Sequence, residues 1–322
     1  TIRGTGPMTD FPSWEERPWQ DDYFFIQKLI LEPGLTSIGD NAFSQFVSLD
    51  APVTIPDTVK RIGRSAFENS GLTEVTVPDG VSEIGDRAFA TCFGIQRLEL
   101  PDSVTSIGSA AFSGTSLTEL NLPKNVTKLE DYLYESCHSL TGAAIPEGVT
   151  SIGKGVFYNC TGLEEVTIPN SVTSIGDQAF FGSGITSITI PDSVTSIGSE
   201  LCSDCGALTS FKLPKGAAEI GSSMFKGCAS LTEVEIPEGV KTIGDKAFWV
   251  CENLERVALP QSLTSIGGNA FANCAKLTEI TVPENVTSIG EHAFEFCSKL
   301  QKVGIRGAVK SFGYRAFAEC TA

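Results

Sequence analysis

One pattern of apolar and polar residues recurs about every 23 residues along the chain. Its clearest copy spans residues 231–251 and reads Leu-x-x-Val-x-Ile-Pro-x-Gly-Val-x-x-Ile-Gly-x-x-Ala-Phe-x-x-Cys. Two markers set the period: a proline at steps of 22 or 23 residues from Pro56 to Pro283, and an Ile-Gly pair or its equivalent from Ile38 to Phe312. Repetition at a fixed period of this length is typical of a solenoid. The pattern predicts about 13 turns of 22–23 residues, the last incomplete.

Each repeat predicts a fixed order of short elements. Residues 231–236 alternate between buried and exposed types, which predicts a strand with one buried face. Residues 237–239 carry the Pro and Gly of a turn, and residues 240–243 form a second extended segment. At 244–245 a Gly-Asp pair predicts the start of a short helix, with Asp245 as its N-cap. The apolar residues at 247, 248 and 251 then form the buried stripe of that helix.

The complete pattern closely resembles the BspA-like (Treponema-type) leucine-rich repeats of bacterial surface proteins. The resemblance covers roughly residues 29–322, and residues 4–19 look like the segment that precedes such arrays. It implies an α/β fold: a right-handed solenoid with a parallel sheet on one face and short extended or helical segments on the other. It also implies surface display and adhesion. Three repeats depart locally from the pattern, with Tyr134 and Cys202 in the Phe position and Phe312 in the Ile position.

Composition narrows the classes of partner. The net charge of −16 and the pI of about 4.6 argue against nucleic acid, which needs a basic surface, and against anionic lipid. No apolar run reaches the 18 residues of a membrane span. The resemblance, rather than the composition, implies an extracellular or cell-surface location for an array that binds proteins, including host extracellular proteins. We also expect the natural chain to continue past Ala322, because an uncovered end turn exposes its core.

Residues 1–28 do not follow the period, and they concentrate aromatic residues and prolines. One interpretation is an N-terminal cap that covers the apolar end of a solenoid formed by residues 29–322. The alternative is an aromatic ligand site formed by the cluster of Trp14, Trp19, Tyr23, Phe24 and Phe25.

Ten cysteines are compatible with disulfide bonds. Most of them, however, occupy one column, meaning the same position in successive repeats. Ser70, Thr115 and Ser183 occupy the same column in three shorter repeats, and a bonded cysteine cannot be exchanged singly. The column therefore predicts a buried file of free thiols, with neighbour disulfides and zinc as alternatives. Cys202 and Cys205 formally make a CxxC motif, for which core packing and a redox role are both open.

Candidate chemistry is sparse. His138 and His292 lack partners in any catalytic pattern, and no HExxH, P-loop or dinucleotide-binding motif occurs. Three glycosylation sequons fall on repeat positions that are rich in Asn and Thr, and the many carboxylates lie at ordinary turn positions. We predict a non-enzymatic protein that has no cofactor and no metal site.

The strand that precedes each proline offers the best candidate contact surface, because repeat arrays use extended sheet faces to bind partners. Its outward positions are rich in Thr and Glu and contain no aromatic residue, which also suits a merely solvated sheet. The main hypothesis is an interaction scaffold; the alternatives are a rigid spacer that displays another module, and a glycan-binding module that uses the aromatic residues of 1–28. The predicted binding residues are Glu74, Arg97, Glu119, Glu165, Lys212, Glu233, Glu235, Arg256 and Glu279.

Overall fold

The computed structural model describes residues 1–322, which fall into two compact units, Thr1–Leu163 and Glu164–Ala322. Each unit is a stack of coils, where a coil is one turn of a parallel-sheet β-solenoid, and together the units contain about 12 coils. The repeat count of 13 includes the incomplete last repeat. Nearly all regular structure consists of short strands, and the helices are two 3₁₀ turns, Trp14–Glu16 and Tyr23–Phe25.

In the first unit, parallel strands form at both extended segments of the repeat. The strands that precede the proline are Val53–Thr54, Val75–Thr76 and Gly142–Ala144. The strands that end at the Ile-Gly position are Leu35–Ile38, Arg61–Ile62, Glu83–Ile84, Ser106–Ile107, Lys128–Leu129 and Ser151–Ile152, and Gly6–Pro7 pairs with the first of these.

The second unit repeats the arrangement with longer strands before the proline. These strands are Glu165–Thr167, Ser187–Thr189, Ser210–Lys212, Glu233–Glu235, Arg256–Ala258, Glu279–Val282 and Lys302–Ile305. The strands at the Ile-Gly position are Ser174–Ile175, Ser196–Ile197, Glu219–Ile220, Thr242–Ile243, Ser265–Ile266, Ser288–Ile289 and Ser311–Phe312. Equivalent residues face each other, as Ile243 and Ile266 do, so the coils lie in register.

The α/β class and the short helix predicted for each repeat are not confirmed, because a run of turns occupies that segment. Lys246 and Val250 have φ of 58° and 61°, which no α-helix accommodates. The N–H groups of Lys246, Phe248 and Val250 donate to carbonyls of the following coil at 2.8–3.0 Å. The N–H groups between them donate three residues back within their own coil. Alternate amides therefore point sideways, and the i to i−4 ladder of a helix cannot form.

The predicted N-cap residue also has a different role. Asp245 Oδ1 accepts a hydrogen bond from the N–H of Gly268 at 2.7 Å, in the following coil. Asp40, Asp86 and Asp177 accept the equivalent bonds from Arg64, Ser109 and Ser199. This column of aspartates joins consecutive coils rather than starting a helix.

The column of phenyl rings forms the centre of each core. Phe248 stacks on Phe271 with ring centroids 5.2 Å apart, and Phe271 stacks on Phe294 at the same distance. In the first unit Tyr134 takes its place between Phe112 and Phe157, at 5.6 and 5.9 Å, and is 2% exposed. The sequence prediction of in-register internal files is confirmed.

Residues 17 and 19 complete the hydrogen bonding of the first coil. The carbonyls of Ala42 and Ser44 have no preceding coil to supply donors. Arg17 Nη1 donates to both carbonyls, and Trp19 Nε1 donates to Ala42 at 3.0 Å. Trp19 also stacks on Phe43 at 5.9 Å and so extends the phenyl file by one ring. Burial lowers the pKa of Arg17 to about 10.

The cysteine column is a file of nine free thiols, as predicted, and all of them except the partly exposed Cys320 are buried. Each thiol in the file lies beside a backbone carbonyl of the preceding coil: Cys251 Sγ donates to Phe225 at 3.1 Å and Cys274 Sγ to Phe248 at 3.3 Å. Where a serine or threonine replaces cysteine in this column, its hydroxyl contacts the thiol of the following coil. The hydroxyl of Ser70, for example, lies 3.3 Å from the Sγ atom of Cys92. Burial raises the pKa of Cys92 to about 11 and that of Cys251 and Cys297 to about 12.

Cys202 interrupts the phenyl file, and Phe211 adds a ring beside the file in the next part of the core. Phe211 occupies a strand position that holds Ile188 in the preceding coil. Its ring stacks on Phe225 with centroids 4.0 Å apart, closer than the neighbours within the file. The chain therefore has a smaller side chain than usual at Cys202 and a larger one than in the preceding coil at Phe211. Cys202 is fully buried, which supports the packing interpretation of the CxxC motif.

If Phe211 compensates for the ring that is absent at Cys202, Cys202→Phe alone should destabilise the protein by about 1–3 kcal/mol, because it overfills the core. Adding Phe211→Ile should recover most of that loss, with a coupling energy of about 1–3 kcal/mol in a urea-melt double-mutant cycle. Additive effects of the two substitutions would contradict the compensation.

The raised thiol pKa values predict a loss of stability at alkaline pH. Thiols of the unfolded chain ionise near their ordinary pKa of 9.0, whereas folded Cys251 and Cys297 stay protonated to about 12. Their contribution is therefore complete below pH 9 and falls as the pH rises toward 12, by about 1.4 kcal/mol per thiol at pH 10. Cys251→Ser/Cys297→Ser should lose less stability than the parent between pH 8 and pH 10 in urea melts under reducing conditions. An identical loss in both proteins would argue against the assignment.

Candidate functional site

The candidate site is the sheet face, defined as the outward side chains of the strands that precede the proline. Strand alternation creates it, since successive side chains point to opposite faces. In Glu233–Glu235 the central Val234 is 4% exposed and packs inward, while both glutamates are exposed. The apolar residues therefore pack in the core, and the sheet face carries rows of polar and charged side chains.

The structure places all nine predicted binding residues on exposed positions. Three belong to the first unit. Glu74 precedes Val75–Thr76, and Arg97 and Glu119 lie in segments before the proline that have no assigned strand. The other six belong to strands of the second unit. Only part of this set is brought together, in the consecutive strands Glu233–Glu235, Arg256–Ala258 and Glu279–Val282.

Charges of alternating sign run across these strands. Glu233 faces Arg256 in the ladder and forms an ion pair with it, and Glu279 pairs with Lys302 at 3.3 Å. The hydrogen bond with Glu233 raises the pKa of Arg256. Such exposed pairs contribute little to stability, so breaking them costs the protein little free energy.

A shallow recess of about 340 Å³ lies on this part of the face, lined among others by Arg256, Glu279, Thr281 and Arg306. Sequence reasoning missed Arg306 and Lys302, because the proline that marks the register is absent from this repeat. Arg306 stands in the proline column, and its N–H donates to the carbonyl of Val282 at 3.1 Å, a bond that proline cannot make. The replacement of the repeated proline by Arg306 was the feature of the sequence that could have identified these two residues.

A second recess, of about 500 Å³, lies farther along the same unit and includes Ser187, Thr189, Asp192 and Lys212. Lys212 is the one predicted residue in its lining. Hydrogen bonds from the backbone N–H and side chain of Lys215 lower the pKa of Asp192. Hydroxyls and charges of both signs therefore surround this recess.

The remaining titratable candidates lie apart from the sheet face. His138 Nδ1 is 3.1 Å from the hydroxyl of Thr161, and His292 Nδ1 is 2.7 Å from Glu295. No three His, Cys, Asp or Glu side chains converge as metal ligands. The fold also contains no helix that is long and apolar enough to cross a membrane.

Comparisons with known proteins agree with this architecture. The family model of the BspA type Leucine rich repeat region (6 copies) matches residues 22–141, 128–251 and 195–322. No curated protein sequence matches the chain at a significant level.

Solved bacterial structures are similar over most of the chain. A leucine-rich repeat protein from Bacteroides ovatus is 31% identical with a TM-score of 0.85, covering 90% of this chain and 76% of that one. One from Eubacterium ventriosum is 28% identical with a TM-score of 0.65, covering 91% and 89%. A leucine rich cell surface protein from Faecalibacterium prausnitzii is 32% identical with a TM-score of 0.53, covering 85% and 77%. The chain therefore belongs to the BspA-type leucine-rich-repeat family, whose repeat scaffolds are typical of protein-interaction modules and are generally non-enzymatic.

Proposed function

We propose that the protein is a non-enzymatic scaffold at a bacterial cell surface that binds a protein partner through the sheet face, in adhesion or host contact. The observation that carries the proposal is the alternating row of exposed charges at Glu233, Arg256 and Glu279, continued by Lys302. Fixed strands hold these charges, so a partner with a complementary row binds without ordering the scaffold. The cell-surface description of the Faecalibacterium prausnitzii protein supports the location.

The segment 1–28 supports the same function as a cap for the array of residues 29–322. Trp19 and Arg17 point into the first coil and satisfy its edge carbonyls, which is what a terminal cap requires. Trp14 contacts Tyr23 with ring centroids 5.4 Å apart and is only partly exposed. These contacts favour the cap over a glycan platform built on the two tryptophans.

Charge reversal tests the sheet face. The triple variant Glu233→Lys/Arg256→Glu/Glu279→Lys and the parent are applied to an array of purified extracellular matrix and host-surface proteins at low and physiological salt. We expect the parent to bind at least one protein, more weakly as salt rises, and the triple variant to lose roughly tenfold or more in affinity.

Glu252→Lys is the matched control, because it changes the net charge by the same amount at an exposed position outside the sheet face. It should bind as the parent does. Equal affinities of parent and triple variant would remove the sheet face as the contact surface, and a parent that binds nothing would favour a spacer.

A further inference from the structure

A ridge of exposed apolar side chains lies on the first unit, away from the sheet face. Phe24, Phe25, Val47 and Phe93 are 57%, 77%, 41% and 67% exposed. The hydroxyl of Ser48 donates to the carbonyl of Phe24 at 2.6 Å, which places the two phenylalanines beside the coil of Val47. We name these four residues the apolar ridge.

The repeat provides an internal comparison for Phe93, which directly follows the cysteine column. Equivalent positions in other coils hold residues that are polar or small. They are His138, Thr161, Gly206, Ala229, Glu252, Ala275 and Ser298. The fold therefore accepts a polar side chain here, and packing does not require an exposed phenyl ring. Val47 is the other apolar exception, and it lies two coils from Phe93.

A recess lies between the side chains of Val47 and Phe93. The coil between them is one residue shorter, so it lacks the side chain that would fill the space between Val47 and Phe93. Gly71 forms the floor, where a Cβ would lie 2.5 Å from the carbonyl oxygen of Val47. The recess measures about 260 Å³, and Asn69 and Thr91 complete its wall. This volume is below the range of small-molecule pockets and suits an apolar side chain of a larger partner.

The charges around the ridge define the partner further. Asp21 and Asp22 precede Phe24 in the chain and Asp50 follows Val47, and these three carboxylates are exposed and form no ion pair. Lys28 is an exposed cation in the same segment as Phe24 and also forms no ion pair. A second copy of the chain would bring these carboxylates together, which like-charge repulsion opposes. A cationic segment is attracted instead.

We propose that the apolar ridge is a docking site for a cationic segment of a protein partner, which inserts one large apolar side chain between Val47 and Phe93. The site is separate from the sheet face, so its test does not depend on the charge-reversal experiment. An apolar anchor in a pocket with a complementary charged rim is the usual arrangement of an interface hot spot.

The test uses synthetic peptides of about 12 residues that carry one Leu or Phe anchor among lysines. Matched peptides replace the anchor by Ala or the lysines by Glu. Isothermal titration with the full chain should show binding of the anchored lysine peptides only. Phe93→Ser should weaken that binding roughly tenfold or more.

Phe296→Ser is the control, since Phe296 is a 47% exposed phenylalanine in the second unit, and it should bind as the parent does. Val47→Thr is a second ridge variant that keeps the side-chain shape, and it should also weaken binding if Phe93→Ser fails to fold. The proposal is overturned if no anchored lysine peptide binds at about 1 mM, or if ridge variants bind as the parent does. It is also overturned if sedimentation shows a parent dimer that Phe93→Ser dissociates.

Discussion

The hydrogen bond from one coil to the next is the constraint on which the structure depends. In the turn segment, every second N–H leaves its own coil and donates to the neighbour, as Phe248 does to Ala270 at 2.8 Å. Such bonds form only if consecutive coils have nearly equal length and the same register. The 22–23-residue period, the recurring left-handed residues and the straight files of Phe and Cys all follow from that requirement. A single coil leaves half of these donors unsatisfied and its rings stacked on one side only.

Much of this architecture could be predicted from the sequence, because a repeat displays each column many times. The columns identified the buried phenyl file, the free thiols and the exposed positions of the sheet face. The helix prediction failed because apolar residues at 247, 248 and 251 suit either a helix or a run of turns. The deciding feature is positive φ at Lys246 and Val250, and neither residue type signals that conformation.

The features that could not be predicted from the sequence depend on contacts between residues of different columns, which a single column does not reveal. Phe211 stacks on Phe225, but the two residues lie in different columns and only the packed core brings them together. Arg306 joins the recess near Arg256 because it replaces the proline that marked the register. The sequence alone does not show which segment lies beside the coil of Val47, so the apolar ridge could not be predicted from it. In the structure, Ser48 donates a hydrogen bond to the carbonyl of Phe24 and Asp50 donates one to the carbonyl of Gln27.

The same geometry explains how a uniform core carries varied surfaces. Because the inward columns are nearly invariant, differences between coils are confined to outward positions, where substitution costs little stability. In this chain those positions produce a row of alternating charge in the second unit and an apolar ridge with an acidic rim in the first. The two surfaces differ in chemistry.

Native-state hydrogen exchange tests most directly whether coils depend on each other. Phe271→Ala removes a ring from one coil, and exchange is then followed at Lys246, Phe248 and Val250 in the coil before it. If the coils are interdependent, these amides exchange faster by nearly the same free energy as the amides of the mutated coil. Unchanged exchange in the coil of Phe248 would show that a coil is stable by itself, and would contradict this account.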